Sequence, residues 1–286
     1  LYKGLKMSLK EDINYSLWCD FIERDFLENR FKEIIKKGII QGATSNPAIF
    51  ESSISNSVAY KQQLDMLQAN NAKTIYEELA LTDIKRAAFL LDKLHKDDSD
   101  DGFISIEVDP LLCDDAAGTI EEGIRLYSQI NAENVMIKVP ATEAGYIAMR
   151  ELTSKGINVN ATLIFSPQQA IKCAQALDEG IKDSNKDIKA VISVFVSRLD
   201  RLTDHDFVLK GLQASKLGIV NATKCYHEVN KFKNSNIRTL FASTGVKGDE
   251  LSPTYYIDNL IYPNSINTAP LATIEDWLTD GSKVET

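Results

Sequence analysis

The stretch Val135-Met136-Ile137-Lys138-Val139-Pro140 is an apolar run of strand character that contains one lysine and ends at a proline. Side chains alternate between the two faces of a strand, so Lys138 shares a face with Met136 and the aliphatic residues take the other. If both faces are covered, the ammonium group is partly desolvated, and its pKa falls from about 10.4 towards neutrality. Such an amine attacks carbonyl groups. The structural alternative is a lysine at a strand end that extends its ammonium group to water.

Short strand-like runs alternate with amphipathic helical stretches along the 286 residues. The alternation predicts parallel strands with right-handed crossovers, and eight of them predict a (β/α)8 TIM barrel with residues 1–286 as a single domain. The rival, a doubly wound sheet, is expected to carry a glycine-rich turn, but neither GxGxxG nor GxxxxGK[ST] occurs. The predicted strands are residues 16–21, 39–45, 103–108, 135–139, 157–165, 191–196, 237–243 and 255–261.

The second and third predicted strands are separated by about fifty residues, which predict extra helices, among them 72–80 and 82–96. The acidic run at residues 97–102 is predicted to be a solvated turn. A calcium loop is the alternative there, but the run lacks the spacing and the terminal glutamate of an EF-hand.

Composition limits the possible functions. The net charge is −9, whereas a nucleic-acid-binding protein needs a basic surface. No apolar run approaches the length of about 20 residues that spans a membrane. The cysteines lie far apart and form no CxxC pair, which argues against a zinc site or a disulfide framework and favours the cytoplasm; they are Cys19, Cys113, Cys173 and Cys225. We therefore expect no metal, nucleic-acid or membrane binding.

Polar residues share one face of several predicted strands near their C-terminal ends, where barrel enzymes carry their chemistry. Inward polar side chains are costly unless they are satisfied there or bind a ligand. The lysine, the two carboxylates and a threonine near the C-terminal strand ends are therefore expected to converge on one pocket. The polar residues of these faces are Asp20, Thr44, Asn46, Glu107, Lys138, Asn158, Asn160, Thr162, Ser193 and, just past the sixth strand, Arg198.

Each of these residues also has a purely structural interpretation. Asp20 can cap the following helix, Glu107 can belong to a structural ion pair, and Arg198 can be a surface arginine. Asn160 and Thr162 can satisfy each other. The joint pattern favours chemistry, because an amine beside carboxylates suits the proton transfers of imine formation and hydrolysis. A protonated imine is an electron sink, so an adjacent C–C bond can break without a metal.

The segment Ala242-Ser243-Thr244-Gly245-Val246-Lys247 follows the seventh strand, where barrel enzymes often bind phosphate. The Ser243 hydroxyl, the Lys247 charge and nearby backbone N–H groups predict an oxyanion site, with Arg198 as a second cation. The alternative is an ordinary turn, since Ser-Thr-Gly is common in turns.

The chain resembles the transaldolase family in four segments: GATSNP at residues 42–47, IKVPAT at 137–142, GINVNATLIFS at 156–166 and SVFVSR at 193–198. The resemblance extends from about residue 16 to residues 267–270. The family has a (β/α)8 barrel with its Schiff-base lysine on the fourth strand. That position corresponds to Lys138.

The resemblance implies that Lys138 forms an imine with a donor ketose. It also implies that Asp20 takes the proton of the C4 hydroxyl and that Glu107, with Thr162, positions the water. The residues implied to bind the sugar phosphate are Thr44, Asn46, Asn160, Ser193, Arg198, Ser243 and Lys247. Other members have an arginine where this loop has Lys247.

The implied reaction moves a dihydroxyacetone unit from sedoheptulose 7-phosphate or fructose 6-phosphate to glyceraldehyde 3-phosphate or erythrose 4-phosphate, in the pentose phosphate pathway. We expect a cytoplasmic monomer or homodimer without a cofactor. The nearest alternative is a fructose-6-phosphate aldolase that releases dihydroxyacetone, but such relatives are shorter and have glutamine at the position of Glu107. A second alternative is a non-catalytic barrel that binds sugar phosphates, which the presence of every reactive residue disfavours.

Overall fold

A computed structural model describes residues 9–248 and 250–280 of the chain. Eight parallel strands alternate with helices and form a nearly closed barrel in the order β2-β1-β8-β7-β6-β5-β4-β3, which confirms the predicted (β/α)8 TIM barrel. The strands are β1 (Ser16–Cys19), β2 (Gly42–Ala43), β3 (Ile104–Glu107), β4 (Val135–Pro140), β5 (Asn158–Ile164), β6 (Ala190–Phe195), β7 (Ile237–Ala242) and β8 (Ser265–Ala269).

Residues 9–13 are helical and precede β1. The later helices surround the barrel, and short 3₁₀ turns occur at Val58–Tyr60 and Pro110–Leu112. The α-helices are α1 (Arg24–Glu28), α2 (Arg30–Lys36), α3 (Pro47–Asn56), α4 (Lys61–Leu67), α5 (Ala72–Asp97), α6 (Ala116–Ile130), α7 (Glu143–Ser154), α8 (Pro167–Asp183), α9 (Ser197–Leu209), α10 (Leu217–Asn230), α11 (Tyr255–Asp258) and α12 (Leu271–Asp280).

Two backbone hydrogen bonds close the barrel between β2 and β3. The Ala43 N–H donates to the Phe103 carbonyl at 2.8 Å, and the Gly102 N–H donates to the Gln41 carbonyl at 2.6 Å. The Trp18 indole fills the interior beside this junction. A Cβ atom at Gly42 would lie 2.6 Å from the indole ring, so only glycine fits at that position of β2.

The side-chain alternation predicted for β4 is confirmed. Met136 packs in the barrel interior, whereas Val135, Ile137 and Val139 pack in the larger core between the sheet and the helices. The apolar residues that fill the interior with Met136 are Trp18, Phe103, Val191, Phe195, Leu240, Ala242 and Ile266.

The eighth strand was predicted at the wrong place. Residues 255–258 form helix α11, and the eighth strand is Ser265–Ala269. The buried residues Tyr256, Ile257 and Leu260 follow a helical spacing rather than an alternating one. The true strand escaped detection because most of its residues are polar, although Ser265, Asn267 and Thr268 are all buried.

The segment between β2 and β3 carries the predicted extra helices. The two helices expected at residues 72–80 and 82–96 are one continuous helix, α5, because the sequence contains no breaker between them. The acidic run that follows is not a simple solvated turn. Asp101 is buried, and its carboxylate binds Lys10 at 2.6 Å and Arg238 at 3.2 Å.

Arg238 is the central group at the N-terminal end of the barrel. Its side chain is buried and joins the turn before β3 to β1 and β8. Besides Asp101, its guanidinium group donates to Asn14 O and Ser16 Oγ at 2.8 Å and to Asp100 O and Ser265 O at 3.0 Å. This network holds the end of the barrel opposite to the one where chemistry is expected.

We expect Arg238→Met to lower the free energy of unfolding by about 3 kcal/mol, because the loss of a buried cation leaves its partners unpaired. Chemical denaturation measures the change. The exposed pair of Lys93 with Asp97 provides the control, since Lys93→Met should cost less than about 1 kcal/mol. Equal losses in the two variants would contradict this role for Arg238.

Candidate active site

The strand register places three of the predicted residues side by side. Glu107 on β3 pairs in register with Lys138 on β4, and Lys138 pairs with Asn160 on β5. All three side chains project into the barrel, because β4 and its neighbours alternate as predicted. The C-terminal half of the barrel therefore presents an amine between a carboxylate and an amide.

Glu107 and Lys138 border a cavity of about 330 Å³ at the C-terminal end of the barrel. It contains nine of the eleven predicted site residues: Asp20, Thr44, Asn46, Glu107, Lys138, Thr162, Ser193, Arg198 and Ser243. Asn160 lies behind the lining, and Lys247 is exposed and outside it. The rest of the lining is Pro47, Ala48, Leu163, Phe195, Ala242 and Thr268.

The Lys138 side chain is buried, with 7% of the residue exposed. Its Nζ atom donates to the Ser45 carbonyl at 3.2 Å and lies 3.5 Å from Glu107 Oε2. A lysine that extends to water is therefore excluded. The amine faces the cavity between an ion-pair partner and a fixed carbonyl.

Asp20 follows β1 and reaches the cavity from the opposite wall. One of its carboxylate oxygens accepts a hydrogen bond from Thr44 Oγ1 at 2.7 Å. Burial raises the pKa of Asp20, while the positive charges of Lys138 and Arg198 oppose the rise. Asp20 does not cap the next helix, because the N-cap of α1 is Glu23.

Glu107 and Thr162 occupy the wall beside Lys138. Thr162 Oγ1 is buried and has no hydrogen-bond partner among the described residues. Within this wall it is therefore a hydroxyl available to a bound molecule. Glu107 also affects Tyr76. Burial raises the pKa of the Tyr76 hydroxyl to about 12, and the negative charge of Glu107 contributes to the rise.

Asn160 is fixed by side chains other than Thr162. Its amide nitrogen donates to Ser105 Oγ at 2.9 Å, and its oxygen accepts from Ser193 Oγ at 2.6 Å. The interpretation in which Asn160 and Thr162 satisfy each other is therefore wrong. Asn160 instead orients Ser193, which lines the cavity.

Arg198 and Ser243 line the cavity just after β6 and β7, on the side of the barrel away from Glu107 on β3. The Arg198 guanidinium group lies 5.0 Å from the centre of the Phe195 ring. Ser243 has a left-handed backbone, with φ of 57°, and its hydroxyl lies 3.0 Å from Ser197 Oγ at the start of α9. One cation and a hydroxyl therefore face the cavity here, and Lys247 does not join them.

Among the six lining residues that were not predicted to be site residues, Leu163 and Thr268 have a clear structural cause. Leu163 has a φ of 60° where the β5–β6 register shifts, so a bulge turns it into the cavity. Thr268 shares a short hydrogen bond of 2.7 Å with Thr44. Correct placement of β8 would have revealed Thr268, whereas nothing in the local sequence signals the bulge.

Residues 9–248 and 250–280 contain neither a membrane-spanning helix nor a metal-binding cluster. None of their helices has the length and apolar character needed to cross a membrane. Within the same ranges, no three His, Cys, Asp or Glu side chains are grouped as a metal site would require. Burial, and then the neighbouring Asp20, raises the pKa of the Cys19 thiol, so this cysteine beside the site stays neutral.

The family model for transaldolase and fructose-6-phosphate aldolase matches residues 17–286. The chain is 52% identical over 266 residues to a transaldolase of Helicobacter pylori strain Shi470. The alignment covers 93% of this chain and 82% of the relative. It is also 50% identical over 273 residues to a transaldolase of Campylobacter jejuni subsp. jejuni serotype O:23/36, strain 81-176. That alignment covers 92% of this chain and 82% of the relative.

An amine and two carboxylates in one barrel cavity are an arrangement suited to an enzyme that acts on carbonyl compounds. The matches are more specific: the chain belongs to the transaldolase/fructose-6-phosphate aldolase family. A solved structure of Haloferax volcanii malate synthase, in a ternary complex with pyruvate and acetyl-CoA, also aligns with this chain. The alignment covers 64% of this chain and 62% of the malate synthase chain. That alignment has a TM-score of 0.28 at 7% identity and supports no argument.

We expect Asp20→Asn to stabilise the folded protein at pH 7. Because the pKa of Asp20 is raised in the folded state, the folded protein loses stability as the pH rises from the unfolded pKa of the carboxyl, about 4, to its higher folded pKa. The advantage of the variant should therefore grow as the pH rises from about 4, and vanish below it, where the wild-type carboxyl is protonated in both states.

Thermal denaturation from pH 3 to pH 8 measures this difference. The exposed carboxylate of Asp65 provides the control, because Asp65→Asn should change stability by less than about 0.5 kcal/mol. A stability difference for Asp20→Asn that does not depend on pH would contradict the prediction.

Proposed function

We propose that this protein is a transaldolase that transfers a dihydroxyacetone unit through an imine at Lys138. The donor is sedoheptulose 7-phosphate or fructose 6-phosphate, and the acceptor is glyceraldehyde 3-phosphate or erythrose 4-phosphate. The observation that carries the proposal is the convergence of Lys138, Glu107 and Asp20 on one cavity in a member of this family.

The first step forms the imine. Lys138 Nζ attacks the C2 carbonyl of the donor, and loss of water from the carbinolamine gives the protonated imine. Glu107, 3.5 Å from Nζ, transfers the protons of this step, and the free hydroxyl of Thr162 holds the water with it. Hydrolysis of the imine is the reverse of these transfers.

The second step breaks the C3–C4 bond. Asp20 takes the proton of the C4 hydroxyl, the C4 oxygen becomes an aldehyde, and the bonding electrons pass to the iminium nitrogen to give an enamine. The raised pKa of Asp20 suits a group that accepts a proton and then returns it. When the acceptor aldehyde binds, the enamine attacks it and Asp20 returns the proton.

The remaining lining residues bind the sugar phosphate. Asn46, Thr44 and Ser193, the last oriented by Asn160, hold the dihydroxyacetone hydroxyls. Arg198 and Ser243 hold the phosphate on the side of the cavity away from Glu107. Lys247 is exposed, so we assign it at most a secondary role in phosphate binding.

We also propose that the enzyme works in the cytoplasm, as a monomer or a homodimer. Its four cysteines are free thiols, as is usual in a reducing compartment. All the residues assigned to the proposed site belong to this one chain, which is compatible with either state.

Lys138→Arg should abolish transfer while the protein stays folded. The charge survives, but a guanidinium group does not form the imine. A coupled assay with fructose 6-phosphate and erythrose 4-phosphate measures transfer, and thermal denaturation measures folding. Lys155→Arg, at an exposed lysine paired with Glu151, is the control and should retain full activity. Turnover by Lys138→Arg would refute the proposed role of Lys138.

Free dihydroxyacetone should appear only slowly when fructose 6-phosphate is supplied without an acceptor. Without an acceptor aldehyde the enamine on Lys138 persists. Its protonation and hydrolysis, which release dihydroxyacetone, are slower than transfer to an aldehyde. An enzymatic assay for dihydroxyacetone, run with and without erythrose 4-phosphate, compares the two routes. Release without acceptor as fast as transfer would instead identify an aldolase.

A further inference from the structure

The loop that follows β1 and carries Asp20 is attached to the helical segment between β2 and β3. Helix α3 begins at the cavity, where Pro47 and Ala48 form part of the wall, and then runs beside residues 21–24. Tyr60 in the 3₁₀ turn and Asp83 on helix α5 contact Arg24, at the end of the same loop. A segment outside the barrel therefore reaches the backbone next to a proposed reacting group.

Two serines of this segment bind the loop directly. The buried Ser53 Oγ donates to the Ile22 carbonyl at 2.8 Å, two residues beyond Asp20. Ser57 Oγ donates to Glu23 Oε1 at 2.7 Å, while the other carboxylate oxygen of Glu23 accepts the Phe26 N–H at 2.7 Å. The serines thus fix the loop and the cap of α1 together.

Arg24 connects the loop to a buried carboxylate. Its Nε atom donates to Asp83 Oδ1 at 3.0 Å, and its guanidinium carbon lies 4.4 Å from the centre of the Tyr60 ring. Tyr60 OH donates to Asp83 Oδ2 at 2.8 Å. Asp83 is 1% exposed, and a carboxylate buried so deeply is tolerated only when its oxygens are satisfied.

We propose that Ser53, Tyr60 and Asp83 are positioning residues that hold the Asp20 carboxylate at the C4 hydroxyl of the bound sugar. This inference rests on the function proposed above. The Asp20 carboxylate accepts hydrogen bonds from Thr44 Oγ1, at 2.7 Å, and from the Asn46 side chain, and the position of its backbone decides whether it reaches these partners and the cavity together. That backbone is anchored to β8 on one side, through the Asp20 N–H and the Ala269 carbonyl at 2.8 Å, and to the helical segment on the other.

The proposal predicts a step-specific defect. Lys138 and Glu107 lie on β4 and β3, which the serine and Tyr60–Asp83 contacts do not touch, so imine formation should persist when those contacts are removed. Cleavage depends on Asp20, and a displacement of about 1 Å in a reacting group can cost about 100-fold in rate. We therefore expect cleavage to slow by about 10- to 100-fold in Ser53→Ala and in Tyr60→Phe.

The experiment measures both steps in each variant. Borohydride trapping with fructose 6-phosphate measures the imine, and single-turnover release of glyceraldehyde 3-phosphate measures cleavage. The matched controls remove similar hydroxyl groups far from Asp20. They are Ser154→Ala, which removes a 2.8 Å hydrogen bond to the Glu151 carbonyl, and Tyr226→Phe, which removes a 2.8 Å hydrogen bond to the Pro263 carbonyl.

A double-mutant cycle with Asp20→Ala separates positioning from general loss of stability. If Ser53 acts through Asp20, Ser53→Ala should slow cleavage in the wild type and have no further effect in Asp20→Ala. Equal cleavage in variants and controls, additive losses with Asp20→Ala, or a parallel fall of imine and cleavage would overturn the positioning role. A wild-type protein that forms no imine would instead overturn the proposed function itself, and the inference with it.

Discussion

The burial of the Lys138 ammonium group inside the barrel is the constraint on which the site depends. A buried cation needs partners, and this one has the Ser45 carbonyl and the Glu107 carboxylate. Glu107 lies on β3 and Ser45 follows β2, the two strands between which the barrel closes, and Ser45 Oγ donates a 2.7 Å hydrogen bond to the Ser105 carbonyl on β3. Closure of the barrel and the environment of the amine are therefore one structural requirement.

The two ends of the barrel solve the problem of buried charge differently. At the N-terminal end, the two terminal nitrogens of Arg238 bind fixed acceptors and Asp101, so the ion pair and these hydrogen bonds serve stability. At the C-terminal end, Asp20 keeps a raised pKa, and the Thr162 hydroxyl has no partner among the described residues. Buried polar groups whose hydrogen bonds or charges are not fully compensated are unfavourable for folding, but they remain available for proton transfer and binding.

The sequence predicted those features that depend on strand alternation and missed those that depend on packing. Lys138 and Glu107 could be located because apolar neighbours mark the faces of β3 and β4. The strand β8 was missed because most of its buried residues are polar, and Thr268 was missed with it. Proximity in the chain also misled: Lys247 follows Ser243 closely, yet it lies on the exposed side of the loop. The attachment of residues 47–97 to the Asp20 loop joins residues distant in sequence and has no local signal.

The most direct test of the account is borohydride reduction in the presence of fructose 6-phosphate, followed by peptide mapping by mass spectrometry. The account predicts a reduced dihydroxyacetone adduct on the peptide that contains Lys138, and on no other lysine. Full enzymatic turnover without an adduct, or an adduct at a different lysine, would contradict it.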